Sequence, residues 1–368
     1  IDNDDRMDVN NLDMVVTNHG SLAYDLITSN AGLIYPRSTI KTAVFAAGVW
    51  IGAKVGGNLR IAVGGFDQEY SPGPMLGGTF QPDQPAFKNF RFDPANPLTG
   101  SDLSDYLAQG GPTDSLGNPQ LLGDATIWSV FNDADPGAHT NLAGSTLPLG
   151  VEVQQTVFAF HQQGPLDNTI FVKWKIINKG SNTLDSTFIS VWSDPDLGGA
   201  TDDLVGCDTT LSLGYCYNAT NSDNQYGTAP PAVGYDFFKG PIVGGNPLGM
   251  TSFNKYINGT DPQSATETYS YMQGLNKDGT PVHVLDNNAL PITKFQVSGL
   301  NPAGTSSASK RVGTNQNDRR LMLSSGPFTM APGDTQEVVT AIIIGQGTNR
   351  TSSVVALKYF DTIAQRAF

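Results

Sequence analysis

The chain has 368 residues, with 21 Lys and Arg against 34 Asp and Glu and a formal net charge of −13 at pH 7. So few basic residues exclude the large basic face of a nucleic-acid binder, and no apolar run approaches the ~20 residues that cross a bilayer. Gly and Pro, with 41 and 23 residues, interrupt every long stretch and exclude a coiled coil, while 39% hydrophobic residues suffice for a core.

Residues 1–130 are predicted to form an N-terminal β-rich domain, because short β-prone runs alternate there with turn residues. Residues 42–52 have the pattern of a buried strand, and residues 54–63 that of a hairpin with Gly-Gly-Asn at its turn. Residues 71–125 hold several prolines, which cannot donate to a strand ladder, so we expect mostly ordered loop there.

Residues 131–350 are predicted to form an Ig-like or jelly-roll-type β-sandwich, so the fold class is mainly β. Runs at 150–160, 170–178 and 184–192 alternate apolar and polar residues, and strand signals return between 320 and 344. Residues 193–310 between them form a long loop-rich insertion, in which we expect short helices, hairpins or bound ions. The sequence leaves open whether the two β regions are separate domains or one extended sandwich.

Residues 351–368 are predicted to form a short C-terminal helix. A Thr-Ser-Ser run can cap it, and its apolar residues recur at three- and four-residue spacing. The apolar face can pack on the chain's own sheet or on another subunit. Candidate residues for assembly are therefore Val354, Leu357, Phe360 and Phe368.

The densest run of acidic residues follows directly after a predicted strand and comprises Asp194, Asp196, Asp202, Asp203 and Asp208. Carboxylates this close repel one another unless a cation or water screens them, and Ca²⁺ prefers several oxygen ligands from flexible Gly-rich loops. These five residues are therefore candidate calcium ligands. The alternative is a solvated acidic loop, since Asp also favours turns.

Cys207 and Cys216 enclose eight residues, a length at which a hairpin can bring two cysteines within disulfide reach. The spacing is equally compatible with two buried free thiols. Zinc is not expected, because the four histidines are far apart and no Cys-x-x-Cys is present.

We expect no enzymatic activity, because the sequence has no nucleophile elbow, phosphate-binding loop or dinucleotide fingerprint. An acidic pair for glycoside hydrolysis could still be assembled by folding. The four tryptophans, Trp50, Trp128, Trp174 and Trp192, could form a sugar platform, but their β-strand contexts favour core packing.

Several stretches, taken in combination, resemble the sequences of one protein family. They include residues 35–55, Glu-Tyr-Ser-Pro-Gly at 69–73, Ser-Asp-Pro-Asp-Leu-Gly at 193–198, residues 205–210 and 230–241, Asp-Arg-Arg at 318–320, and residues 324–334. Together they resemble a family of mostly uncharacterised secreted bacterial surface proteins, many of which end in a type IX secretion sorting domain.

The resemblance implies an exported, surface-associated protein and carries no enzymatic activity with it. The chain starts at Ile1, as a processed mature chain would, and stops at Phe368 without a sorting domain. We expect that this domain was cleaved on export or was never part of this member.

These observations predict an extracellular structural protein, a self-assembling subunit of a cell-surface filament, sheath or layer that is stabilised by bound calcium. Its partner would be a second copy of itself. The alternative is a secreted adhesin or glycan-binding module that recognises surface glycans through residues 193–310. A hydrolase with an unrecognised site is a third alternative.

Overall fold

The computed structural model describes residues 3–66, 68–284, 287–298 and 316–367. Strands account for 42% of the residues and helices for 12%, which confirms the prediction of a mainly β fold with a C-terminal helix.

In chain order the strands are β1 (Asp4–Met7), β2 (Asp13–Thr17), β3 (Ser21–Leu22), β4 (Leu33–Ile34), β5 (Thr42–Val44), β6 (Ala46–Val55), β7 (Asn58–Ala62), β8 (Ser71–Pro72), β9 (Phe90–Phe92), β10 (Ala125–Asn132), β11 (Val151–Ala159), β12 (Thr169–Asn178), β13 (Leu184–Asp194), β14 (Asp203–Asp208), β15 (Leu213–Asn218), β16 (Ala232–Lys239), β17 (Ile242–Val243), β18 (Asn246–Pro247), β19 (Ser252–Ile257), β20 (Val282–His283), β21 (Ile292–Thr293), β22 (Arg319–Met330) and β23 (Thr335–Gly345). The helices are α1 (Gly100–Ala108), α2 (Ala265–Met272) and α3 (Arg350–Ala367), and 3₁₀ turns lie at Pro165–Asn168 and Ala200–Asp202.

Most of these strands belong to two large antiparallel sheets. The ten-stranded sheet has the order β19-β22-β13-β6-β3-β2-β4-β5, with β1 paired to β2 and β7 paired to β6. The nine-stranded sheet has the order β14-β15-β16-β23-β12-β11-β10-β8, with β9 paired to β10. The short pairs β17-β18 and β20-β21 lie outside them.

One hydrophobic core joins the two sheets as the layers of a sandwich. Its largest cluster contains buried side chains from the ten-stranded sheet, such as Ile51 and Leu323, and from the nine-stranded sheet, such as Val153, Trp174 and Ile342. Alternate residues of each strand point inward, so apolar residues at period two from both sheets meet in this layer.

Strands from either side of the predicted domain boundary at residue 130 pair with one another. Both sheets contain strands from either side of residue 130, because β6 pairs with β13 and β8 and β9 pair with β10. The predicted insertion at 193–310 contributes β14, β15 and β16 to the nine-stranded sheet and β19 to the ten-stranded sheet. Of the predicted run of consecutive strands, β11 and β12 are neighbours, while β13 crosses to the other sheet.

The C-terminal helix α3 packs on its own nine-stranded sheet. Asn349, just before the helix, caps it by accepting hydrogen bonds from the backbone N–H groups of Thr351 and Ser352 through its Oδ1. Its apolar face joins a second core cluster that includes Leu213, Tyr215 and Ile343. None of the three helices in the described ranges has the length and hydropathy needed to span a bilayer.

This packing corrects the predicted assembly residues. Val354 and Leu357 are 0% exposed, because they fill the interface between α3 and the sheet beneath it, so they are not available to a second subunit. Phe360 is partly buried against the same cluster. Phe368 lies outside the described residues. The apolar side chains that α3 exposes are Val355 and Tyr359.

Candidate functional site

The antiparallel pairing of β13 with β22 brings three carboxylates and one arginine together. Asp194 is the last residue of β13 and Asp196 comes two residues later, while Asp318 directly precedes β22 and Arg320 is its second residue. One carboxylate oxygen from each of the three aspartates lies within 4.8 Å of the others. Arg320 Nη2 donates to Asp194 Oδ2 at 2.8 Å, and its Nη1 donates to Asp318. These four residues form what we call the Asp194 cluster.

In the Asp194 cluster three carboxyl groups surround a single guanidinium, so one positive charge faces three groups that can each become negative. Burial is the main cause that raises the pKa of Asp194 to about 9, and the neighbouring Asp196 carboxylate raises it further. Burial likewise raises the pKa of Asp196 to about 6, while Arg320 lowers both values. Among the described residues, Oδ1 of Asp194 has no hydrogen-bond partner although it is buried. The site therefore holds its carboxyl groups in an environment that favours a bound proton or cation.

Three of the five predicted calcium ligands lie elsewhere. Asp203 is buried at the start of β14, where its Oδ2 accepts a hydrogen bond from the backbone N–H of Leu197 at 3.0 Å. Asp202 ends the 3₁₀ turn at Ala200–Asp202. Asp208 ends β14 and pairs with Lys358 Nζ of α3 at 2.8 Å. Of the predicted set, only Asp194 and Asp196 share a site, and Asp318 completes it.

The two cysteines are buried free thiols and do not form a disulfide, which is the second of the two alternatives that their spacing allows. Cys207 and Cys216 are free thiols, both buried on the adjacent strands β14 and β15. Cys207 lies opposite Gly214 and Cys216 opposite Val205, so the register does not place them as a cross-strand pair. Burial raises the pKa of the Cys216 thiol well above its usual value, which keeps it protonated and unreactive.

A cavity of about 370 Å³ adjoins the Asp194 cluster, and Arg320 lines both. We call it the aromatic cavity. Its lining includes four aromatic and two charged side chains, those of Trp50, Phe66, Trp192, Tyr256, Asp261 and Arg320.

Strands β6, β13 and β19 supply most of the aromatic walls. Trp50 and Trp192 stack with ring centroids 5.5 Å apart, and Phe66 packs edge-on against Trp192 at 5.1 Å. Trp192 Nε1 donates to the Tyr256 hydroxyl at 2.5 Å. Trp50 and Trp192 are themselves part of a core cluster and are 5% and 3% exposed. Trp128 and Trp174 belong to other core clusters, so all four tryptophans pack in the core as their strand contexts predict.

The fourth wall of the aromatic cavity is the loop at residues 140–143. Three buried ionisable side chains, those of Glu69, Asp133 and His139, hold this loop in place. His139 Nε2 hydrogen-bonds to the backbone carbonyl of Asp133 at 2.8 Å, and its Nδ1 lies 3.6 Å from Glu69 Oε2. The Asp133 carboxylate accepts three backbone N–H groups from residues 149–151, and Glu69 accepts the N–H of Ser145. Burial raises the pKa of both carboxyl groups. The loop is therefore tied down near its start and its end.

Sequence reasoning did not identify Asp318, Arg320, Glu69 or His139 as parts of a site. Asp318 and Arg320 entered only through the family resemblance, although an Asp-Arg-Arg run beside the apolar residues of β22 is itself a signal of buried charge. Glu69 also entered only through the resemblance, in the run at 69–73, and neither Glu69 nor His139 lies in a spacing that is typical of a site.

Comparison with protein-family models and with curated proteins finds no match to this chain.

Proposed function

We propose that this chain is an extracellular structural protein, a subunit that self-associates into a cell-surface filament, sheath or layer. The resemblance to secreted surface proteins supports the export that this role requires.

The observation that carries the proposal is the apolar surface of the C-terminal helix. Val355 and Tyr359 lie one turn apart on α3 and are 60% and 59% exposed. Ile27 and Ile40 are exposed as well, on loops between short strands of the ten-stranded sheet. Exposed apolar groups on two different elements are what a head-to-tail contact between copies needs, and a head-to-tail contact that does not close on itself gives a filament.

The proposal includes a calcium ion at the Asp194 cluster. Three carboxylates and one guanidinium sum to −2 when Asp194, Asp196 and Asp318 are ionised, so a divalent cation would neutralise the site. Carboxylate oxygens are the ligands that Ca²⁺ prefers. The ion would link the end of β13 to the start of β22 and stabilise the folded chain by mass action.

Light scattering on the size-separated protein and negative-stain electron microscopy test the assembly, with and without Ca²⁺. We expect the wild-type chain to form regular assemblies and the double variant Val355→Asp, Tyr359→Asp to stay monomeric. Leu107→Asp on α1, where Leu107 is 43% exposed, is the matched control and should assemble normally. A wild-type chain that stays monomeric at every concentration, or a double variant that assembles equally well, contradicts the proposal.

Thermal unfolding with chelator and with added Ca²⁺ tests the ion separately. We expect Ca²⁺ to raise the Tm of the wild-type chain and to leave the Tm of Asp318→Asn unchanged. Asp334→Asn, an exposed aspartate in the turn between β22 and β23, is the control and should respond like wild type. No Ca²⁺-dependent shift in the wild-type Tm would remove calcium from the proposal and leave the assembly test intact.

A further inference from the structure

The aromatic cavity has the size and walls of a small-molecule site. Pockets that hold small ligands measure roughly 300–1,000 Å³ and combine apolar walls with a few polar groups, and this cavity of about 370 Å³ falls within that range. Its aromatic walls are rigid, because Trp50, Trp192 and Tyr256 lie on strands and are fixed by stacking and by the Trp192–Tyr256 hydrogen bond.

The polar side of the cavity contains an incomplete hydrogen-bond arrangement. Arg320 is 8% exposed at its side chain, and its Nε donor has no hydrogen-bond partner within the described part of the chain. Asp261 Oδ1 lies 3.9 Å from this Nε, which is beyond hydrogen-bond distance. A hydroxyl group placed between them would accept from Arg320 and donate to Asp261, since a hydroxyl does both.

The charges and hydrogen-bonding groups around the cavity select against an ionic ligand. The Arg320 guanidinium is already paired with Asp194 and Asp318, so a phosphate or carboxylate would meet more negative than positive charge. An ammonium group would be attracted by these carboxylates, but it only donates hydrogen bonds and so could not accept from Arg320 Nε. A long aliphatic chain would cover Arg320 Nε and Asp261 Oδ1 without offering either a hydrogen bond.

We propose that the aromatic cavity binds a neutral saccharide. Its ring C–H groups would pack against the walls formed by Trp50, Trp192 and Tyr256, and a hydroxyl would bridge Arg320 Nε and Asp261 Oδ1. The loop at 140–143 closes one side of the cavity. Because Glu69, His139 and Asp133 already hold that loop in place, little conformational entropy is lost when the ligand binds. The site is independent of self-association, because one copy of the chain supplies every wall.

Tryptophan fluorescence and isothermal titration calorimetry test this inference with cellobiose, maltose, lactose and N,N′-diacetylchitobiose as probes. We expect a saturable change with at least one of these sugars, since two of the four tryptophans line the cavity. Asp261→Asn removes the charge of the acceptor and keeps its shape, so we expect its affinity to fall about tenfold. Asp185→Asn, at an exposed carboxylate on β13, is the matched control and should bind like wild type.

Three results would overturn the inference. One is the absence of any response to the four sugars at about 10 mM, well above the ~1 mM dissociation constant of a weak site. Another is unchanged affinity in Asp261→Asn, once its melting curve shows that it is folded. The third is binding of glucuronate or glucosamine but of none of the neutral sugars, which would make the ligand an ion.

Discussion

The interface between α3 and the nine-stranded sheet contains a buried pair of carboxyl groups, and its ionisation should make the stability of this protein fall as pH rises. Asp361 on α3 and Asp236 on β16 are both fully buried. Gln365 Nε2 donates to Oδ2 of both, at 3.1 Å and 2.8 Å. Apart from the hydrogen bond that the two carboxyl groups share when one is protonated, the Oδ1 atoms have no partner in the part of the chain that the structure describes.

Burial raises the pKa of Asp361 to about 9 and that of Asp236 to about 7, and the proximity of Asp236 adds to the shift at Asp361. In the unfolded chain both groups titrate near ~4. Between these values the folded state binds more protons than the unfolded state. The contribution of this pair to the free energy of unfolding is therefore highest below about pH 4 and falls as pH rises toward the folded-state pKa values.

Asp361→Asn removes one of the two ionisations without changing the shape of the side chain. At pH 8 the solution is about four pH units above the unfolded-state pKa of Asp361, and each unit corresponds to about 1.4 kcal/mol, so the upper limit on the gain is ~6 kcal/mol. The helix can shift and admit water to the charged pair, so we expect the variant to be more stable by about 2 kcal/mol at pH 8. Near pH 4 the difference should vanish.

Urea unfolding followed by circular dichroism at pH 4.5, 6, 8 and 9 measures this difference. Two other charged groups at the interface, Asp208 and Lys358, form an ion pair of their own and are unchanged by the substitution. Asp185→Asn at an exposed site is the control, and it should change the free energy of unfolding by less than about 0.5 kcal/mol at every pH. A variant whose advantage over wild type is the same at pH 4.5 and pH 8, or absent at both, would refute the reasoning.

Three further substitutions or labels test other parts of the structure. Leu357→Ala should lower the free energy of unfolding by about 2–5 kcal/mol in denaturant titration, and Val355→Ala by less than about 0.5 kcal/mol, because Leu357 is buried beneath α3 while Val355 is exposed; equal effects would mean that the helix does not dock as described. Asp133→Ala should lower it by about 3 kcal/mol or more, since three N–H groups, two of them fully buried, lose their acceptor; a Tm within a degree of wild type would contradict this. Alkylation of the unfolded, unreduced chain should add two labels by mass spectrometry, at Cys207 and Cys216; an unchanged mass would show a disulfide.

The fold could be predicted from the sequence where β-prone apolar residues alternate with polar ones, as in β11 and β12, or form a continuous run, as in β23. The strands β14, β15 and β16 could not, because glycines interrupt the pattern. These glycines make room for neighbouring side chains: a Cβ at Gly206 would lie 2.7 Å from the Tyr215 ring, and one at Gly214 would lie 2.6 Å from the Phe253 ring. In a single sequence such a glycine looks like a loop residue, because the large neighbour that requires it belongs to another strand.

The candidate site shows the same limit more sharply. The acidic run drew attention to the end of β13, and Asp194 and Asp196 do lie in a charged site. Its other half, Arg320, is 126 residues from Asp194 in the sequence, and the two meet only because β13 and β22 are neighbours in the ten-stranded sheet. Strand order also explains why Asp208 is not part of the site. Asp208 is on β14, which belongs to the nine-stranded sheet, and there it pairs with Lys358 of α3. Local spacing therefore predicts which residues carry charge, while the strand order, which depends on the packing of both sheets, decides which charges meet.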